Sequence, residues 1–359
     1  MTTLVDATEA ADIAERFRNR NSSEMPDDCE VGVVAKPRKY RYIRPFSDAA
    51  EDLIDICQNT DGRWMFGIQS IDAMTRGLGR GELMYVTGRA HSGKTQLCLQ
   101  SIANNPNAHV MLFTPDEVDV LVLSKLVSIV RGIDGEQLEH RIRNNDAHTI
   151  DIVRRCAADD FRNMIVIDQS LTFDQMTVAL KEAREYWGCR EDVTMVDFLE
   201  LMPGDGAGND SVVGKSQGMK AWGKGNETPL ICLHQASRSS GARGTSAGMN
   251  AMRYGGETEA TFVLEVFRKL EDTTLEEWER DLVLDTVTVN VAKNKRPPSK
   301  KGEVDLFMDP NTGAIRMPRP GDTGVRATQA LPSSVVAISR TAELLGTYAQ
   351  QKDSNGAAG

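Results

Sequence analysis

The sequence predicts an α/β fold built on a mostly parallel sheet flanked by helices, and three observations carry that prediction. The run Gly88-Arg89-Ala90-His91-Ser92-Gly93-Lys94-Thr95 fills every fixed position of the pattern G-x-x-x-x-G-K-[ST]. An apolar run, Glu82-Leu83-Met84-Tyr85-Val86-Thr87, enters it as a strand, and Leu97, Leu99 and Ile102 give a helix leaving it. From Trp64 to about Pro318, further apolar runs alternate with helical periods, as in a sheet covered by helices on both faces.

Taken in order, residues 1–62 read as a short N-terminal appendage, too small for a comfortable independent domain. It holds a helical period over 6–20, an acidic polar stretch over 24–30 and the basic aromatic run Lys36-Pro37-Arg38-Lys39-Tyr40-Arg41-Tyr42. Ser47 then caps a short helix reaching Cys57. The core spans 63–318, with strands expected over 82–87, 109–114, 164–168, 193–198, 229–233, 261–267 and 283–292. A hairpin follows over 303–316, turning at Asp309-Pro310-Asn311-Thr312-Gly313. Helices are expected over 121–131, 136–144, 150–159 and 174–187, the last opened by the capping box Thr172-Phe173-Asp174-Gln175. Residues 203–214 and 237–256 are rich in Gly, Ser and Asn without a hydrophobic period, and read as loops. Residues 319–359 read as a flexible C-terminal tail with one helical stretch over 333–350.

Composition narrows the classes. Of 359 residues, 40% are hydrophobic, which is ordinary for a globular chain. No apolar stretch has membrane-spanning length and the N-terminus lacks a basic-then-apolar leader, so the expectation is a cytoplasmic protein without a membrane partner. The six cysteines include no C-x-x-C pair, which argues against a zinc site or a disulfide framework. A formal charge of −10 speaks against an all-over nucleic-acid-binding surface, while leaving room for a local basic lining.

The eight-residue loop points to a nucleoside triphosphate with Mg²⁺. In such loops the backbone amides of Gly88 to Gly93 curl around phosphate oxygens, Lys94 reaches the β- and γ-phosphates and the Thr95 hydroxyl ligates the metal, with Gln96 next in the nucleotide-binding set. His91 sits at a variable position and takes no catalytic role. Magnesium also needs an acid at the end of another strand. Asp168 and Asp197 both end apolar runs. Asp197 is favoured, because a glycine-rich loop follows it closely and the next strand, Leu230-Ile231-Cys232-Leu233-His234-Gln235, ends in a polar pair.

These stretches together resemble the DnaB-type replicative helicases of superfamily 4, whose core is a RecA-like P-loop NTPase. Residues 193–202 resemble the family's Walker B segment, and His234-Gln235-Ala236-Ser237-Arg238 its next motif, where a glutamine senses the γ-phosphate. Gly77-Leu78-Gly79-Arg80-Gly81-Glu82-Leu83 resembles the lead-in to the P-loop, and Tyr254-Gly255-Gly256-Glu257 the fourth motif. Val291-Ala292-Lys293-Asn294-Lys295-Arg296 resembles the basic segment that supplies charge to a neighbouring subunit's ATP. Family spacing puts the finger at Lys295; the arginine directly after it is a departure, so Lys293, Lys295 and Arg296 stay in play.

For the carboxylate that activates water, Pro115-Asp116-Glu117 follows the second strand. Helicase spacing points to Asp116 and recombinase spacing to Glu117; the longer reach of Glu117 is preferred. The loop from Ala236 to Tyr254 carries Arg238, Arg243 and Arg253 and no acid, as a strand-tracking loop would, with Asn209 and Lys215 as further contacts. The resemblance implies ATP and Mg²⁺, single-stranded DNA, a homo-oligomer in a hexameric ring, and a primase or helicase loader as partners, in a compact form such as phages carry. Two other readings share the core: a strand-exchange recombinase, and a RecA-like ATP-binding regulator whose loops contact protein.

Overall fold

The structure is a computed structural model that describes residues 46, 48–58, 62–203, 209–236, 244–246 and 258–325. The features expected over 6–20, 24–30, 36–42 and 333–350, and the Ser47 cap, lie outside the described residues.

Nine strands form one sheet: β1 (Leu83–Gly88), β2 (Val110–Phe113), β3 (Met164–Ile167), β4 (Val193–Val196), β5 (Leu230–Gln235), β6 (Phe262–Phe267), β7 (Thr286–Asn294), β8 (Gly302–Met308) and β9 (Ile315–Arg316). Their order is β3-β2-β4-β5-β1-β6-β7-β8-β9. The strands from β3 to β6 pair in parallel, and β7, β8 and β9 add an antiparallel edge. The sheet is therefore mostly parallel, as the sequence predicts.

Strand β1 shows why the sheet needs two covers. Every residue from Leu83 to Gly88 is buried, as expected where helices shield both faces. Side chains alternate across the pleat. Met84 and Val86 join one core with Leu97, Ile102 and Leu126, while Leu83 and Tyr85 join the other with Leu180, Trp187 and Trp222.

The helices are α1 (Asp48–Gln58), α2 (Gln69–Thr75), α3 (Lys94–Ala103), α4 (Asp119–Arg131), α5 (Gly135–Arg143), α6 (Ala147–Arg155), α7 (Phe173–Trp187), α8 (Asn209–Asn226) and α9 (Glu277–Asp281). The capping box that opens α7 has both of its reciprocal bonds, and Gly188 ends the helix in the left-handed region. Two expectations change. The second half of the stretch read as a loop over 203–214, from Asn209 on, begins the 18-residue helix α8, whose glycines hid it. Gly218 is there for packing: a β-carbon would collide with the Phe173 ring on α7. The tail is also held further than expected, since Gly324 O accepts from Asp285 N at 2.9 Å and from the Thr286 hydroxyl at 3.0 Å. Among the described residues no helix is long and apolar enough to cross a membrane.

Candidate nucleotide-binding site

The candidate site starts where the central strand β1 ends. Gly93 caps α3 with φ 98°, a conformation that glycine adopts without a β-carbon clash, and no side chain caps that end. The first-turn amides of α3 therefore point into the loop with the positive end of the helix dipole behind them. His91 also has positive φ, 61°, a region that histidine enters more readily than most residues. Lys94 is buried, and its Nζ donates to Arg89 O at 2.8 Å. Burial lowers its pKa, opposed by the charges of Asp197 and then Glu200. A buried cation curled over a ring of amides is suited to an anion.

Parallel pairing carries the acids to the same end of the sheet. The Thr95 hydroxyl donates to Asp197 Oδ2 at 2.7 Å, so the first turn of α3 meets the residue after β4. Asp197 is 4% exposed and its pKa is pushed up to about 6, first by burial and further by the charges of Glu117 and Asp116, against the Thr95 hydrogen bond. A hydroxyl and a buried carboxylate whose charge is under-compensated form a hard oxygen donor set that fits magnesium. Asp168 ends the sheet-edge strand β3 and is exposed.

Thr95, Thr114, Glu117 and Asp197 line one pocket. Glu117 is paired through Oε1 with Lys125 of α4, while its Oε2 is buried with no hydrogen-bond partner among the described residues. Asp116 is exposed. Of the two neighbouring acids, Glu117 is the one the fold turns into the pocket with Asp197.

Gln235 ends β5 opposite Gly88, which places the polar pair of β5 beside the start of the P-loop. Its backbone amide donates to Glu200 Oε1 at 2.9 Å, and His234 Nδ1 lies 3.4 Å from the same oxygen. Glu200 thus ties the turn after Asp197 to the end of β5. Sequence reasoning passed over Glu200; the available signal was an acid inside the apolar run Phe198-Leu199-Glu200-Leu201-Met202.

The basic segment lies elsewhere. Strand β7 runs antiparallel to β6, pairing Lys293 with Val263 and Asn294 with Phe262, whereas Phe262 pairs with Met84 near the start of β1. Lys293, Lys295 and Arg296 are therefore at the end of the sheet opposite their own P-loop. Gly88 lies four residue steps along β1 from Met84, roughly 13 Å at the usual rise. The Nζ atoms of Lys293 and Lys295 lie 3.3 and 3.0 Å from Thr258 O.

Arg296, the third candidate for the finger, is turned inward. It pairs with Glu82 through Nε at 3.1 Å and through a second nitrogen. It also donates to Gly77 O at 2.8 Å and lies 5.2 Å from the centre of the Phe262 ring. This clamps the end of β7 to the chain entering β1. Because its removal leaves the half-buried Glu82 carboxylate accepting from Gly79 N without its cation, Arg296→Ala is expected to lower unfolding stability by about 1–3 kcal/mol, read by urea denaturation.

Lys215 lies on α8 and donates to Glu200 O at 3.2 Å, which ties α8 to the turn after Asp197. Arg238, Arg243 and Arg253, and the side chain of Asn209, lie outside the described residues.

Sheet order, the loop before α3 and the Thr95–Asp197 pair define a P-loop nucleotide-binding α/β domain. A model of the family described as DnaB-like helicase C terminal domain matches residues 65–314, and the chain belongs to that family. It is 30% identical over 184 residues to a replicative DNA helicase DnaB of Nostoc sp., covering 49% of this chain and 21% of the relative. With the replicative DNA helicase DnaB of Geobacillus stearothermophilus it is 24% identical over 222 residues, covering 58% and 48%. The aligned part is thus under half of either relative. Among solved structures, a DnaB-like replicative helicase described with its primase interactions superposes with TM-score 0.63 at 16% identity, covering 87% of this chain and 72% of that one. An isolated ATPase domain superposes with TM-score 0.64 at 18% identity, covering 77% of this chain and all of its own. Both share the fold.

Proposed function

We propose that this chain is the motor of a replicative DNA helicase, which hydrolyses ATP between adjacent copies in a hexameric ring to move along single-stranded DNA and unwind duplex. The observation that carries the reading is the split of the chemistry: phosphate loop, Thr95, Asp197 and Glu117 at one end of the sheet, Lys293 and Lys295 at the other. One chain holds both halves but cannot bring them to one phosphate, whereas a head-to-tail neighbour can.

In this reading the amides of Gly88 to Gly93 and the Lys94 ammonium hold the phosphates, with Gln96 following in the first turn of the same helix. Thr95 and Asp197 would hold magnesium, which when bound neutralises charge on the β- and γ-phosphates. Glu117, held by Lys125, accepts the proton of the attacking water through its unpartnered oxygen. Lys293 and Lys295 of the adjacent copy stabilise the transferring phosphoryl group, a lysine pair doing what an arginine does in many relatives of this chemistry. Gln235 reads the γ-phosphate, and Glu200 passes its position to the turn after Asp197. Arg238, Arg243 and Arg253 follow the DNA backbone. The exposed Leu53, Ile54 and Ile56 of α1 would pack on the neighbouring copy. A primase or a loader completes the assembly, in the cytoplasm.

Unwinding of a forked duplex with ATP and Mg²⁺, followed by electron microscopy of the protein on single-stranded DNA, tests this. Strand separation by closed rings is expected. Continuous filaments on the DNA without unwinding would favour the recombinase reading instead.

A further inference from the structure

Strand β6 reads Phe262-Val263-Leu264-Glu265-Val266-Phe267, and its fourth residue interrupts a run of buried apolar side chains. Glu265 is 4% exposed. A carboxylate is taken out of water at a large cost unless it is paired or hydrogen-bonded, so its partners show what holds it there. Its Oε2 accepts from Asn290 Nδ2 at 2.8 Å and from the Ser246 hydroxyl. Asn290 Nδ2 also lies 3.2 Å from Ser246 Oγ, closing a three-membered network. Asn290 faces Glu265 across the β6–β7 pair, but Ser246 belongs to no strand. It lies three residues after Arg243 and seven before Arg253 in the chain.

A second grip adjoins the first. Gly244 has φ 74°, and a β-carbon there would overlap the backbone of Asp272. The segment 244–246 is therefore held twice, by its backbone against the turn after β6 and by its serine on the sheet.

The other flank of Glu265 leads back to the nucleotide end. Glu265 pairs with Thr87, the residue before the P-loop, and Thr87 pairs with His234, the residue before Gln235. Paired residues project from the same face of a sheet. His234, Thr87, Glu265 and Asn290 thus share one face of the sheet as a polar row across β5, β1, β6 and β7. Glu200 meets one end of the row, 3.4 Å from His234, and Ser246 meets the other.

The structure assigns Glu265 as a positioning residue that pins Ser246 and couples the phosphate end of the site to the arginine-bearing stretch 236–254. The assignment rests on the motor reading above, in which that stretch contacts DNA. The pin divides the stretch along the chain, with Arg238 and Arg243 before it and Arg253 after it. A shift of the β5 end with the state of the nucleotide then reaches both parts through one carboxylate. An apolar residue in its place would fill the core without transmitting anything.

The test uses the full chain carrying Glu265→Gln or Ser246→Ala, with oligo-dT as the DNA. Hydrogen exchange over 244–246 reports the pin without DNA, and ATP turnover is measured with and without it. Both variants are expected to exchange faster over 244–246 and to keep wild-type DNA-free turnover. Their DNA-stimulated increment should fall about fivefold or more, the scale of ordinary coupling between sites. Loss of protection with full stimulation by DNA would overturn the assignment, and so would equal loss of DNA-free and DNA-stimulated turnover, which marks a merely structural role. Wild-type turnover that is indifferent to DNA would overturn the motor reading itself, and the coupling with it.

Discussion

Glu117→Gln is expected to lower ATP turnover by about 10²–10⁴-fold, the span of a lost general base, while leaving nucleotide binding intact. The substitution keeps the size of the side chain and removes its ability to take a proton. Glu117 shares a pocket with Thr95 and Asp197, and its free oxygen is buried there. The neighbouring Asp116→Asn is expected to cost less than about tenfold, because Asp116 is exposed and acts through its charge alone. Steady-state hydrolysis of the two variants, with nucleotide affinity measured in parallel, separates them; the reverse order would move the base to Asp116.

Asp197→Asn is expected to impair turnover and to stabilise the free protein at once. The folded-state pKa of Asp197, about 6, lies above its ordinary 3.8, because burial and the charges of Glu117 and Asp116 oppose ionisation. The folded chain therefore binds this proton more tightly than the unfolded chain does. The stability tied to the protonated form is fully present below about pH 3.8 and is lost as pH rises through 6. Above that, the ionised carboxylate costs about 2–3 kcal/mol, from roughly two units at 1.4 kcal/mol each. Asparagine removes that cost and still accepts from Thr95. Urea denaturation without nucleotide or magnesium should show the variant more stable by about this amount near pH 8 and little different near pH 4. A loss of hydrolysis by weakened metal binding, on the order of tenfold to a hundredfold or more, accompanies the gain.

Much of the site was legible because it is written in short, contiguous runs. The P-loop is eight consecutive residues, and Asp197 ends a strand so apolar that its acid stands out. Parallel pairing brings the ends of β1 and β4 to the same side of the sheet through β5, where Thr95 in the helix after β1 meets Asp197. The helix α8 was hidden for the opposite reason, since glycines such as Gly218 that permit close packing on Phe173 read as loop in one dimension. Arg296 could not be sorted from Lys295 by spacing; its partners Glu82 and Phe262 are 214 and 34 residues away. Glu265 was invisible as well, because a single acid in an apolar strand acquires meaning only when the register sets Thr87, Asn290 and Ser246 around it.

The proposal that the active site is shared between adjacent copies is tested most directly by mixing two inactive chains. In the proposed arrangement Lys94→Ala loses the phosphate-holding cation, and the double variant Lys293→Ala with Lys295→Ala loses the charge offered to a neighbour. Each alone should hydrolyse ATP at a small fraction of the wild-type rate. Mixed in equal amounts and allowed to reassemble, they should regain up to about a quarter of wild-type turnover, since one head-to-tail contact in four then joins two intact halves. Turnover of the mixture no higher than that of its parts, or wild-type turnover by the double lysine variant alone, would contradict it.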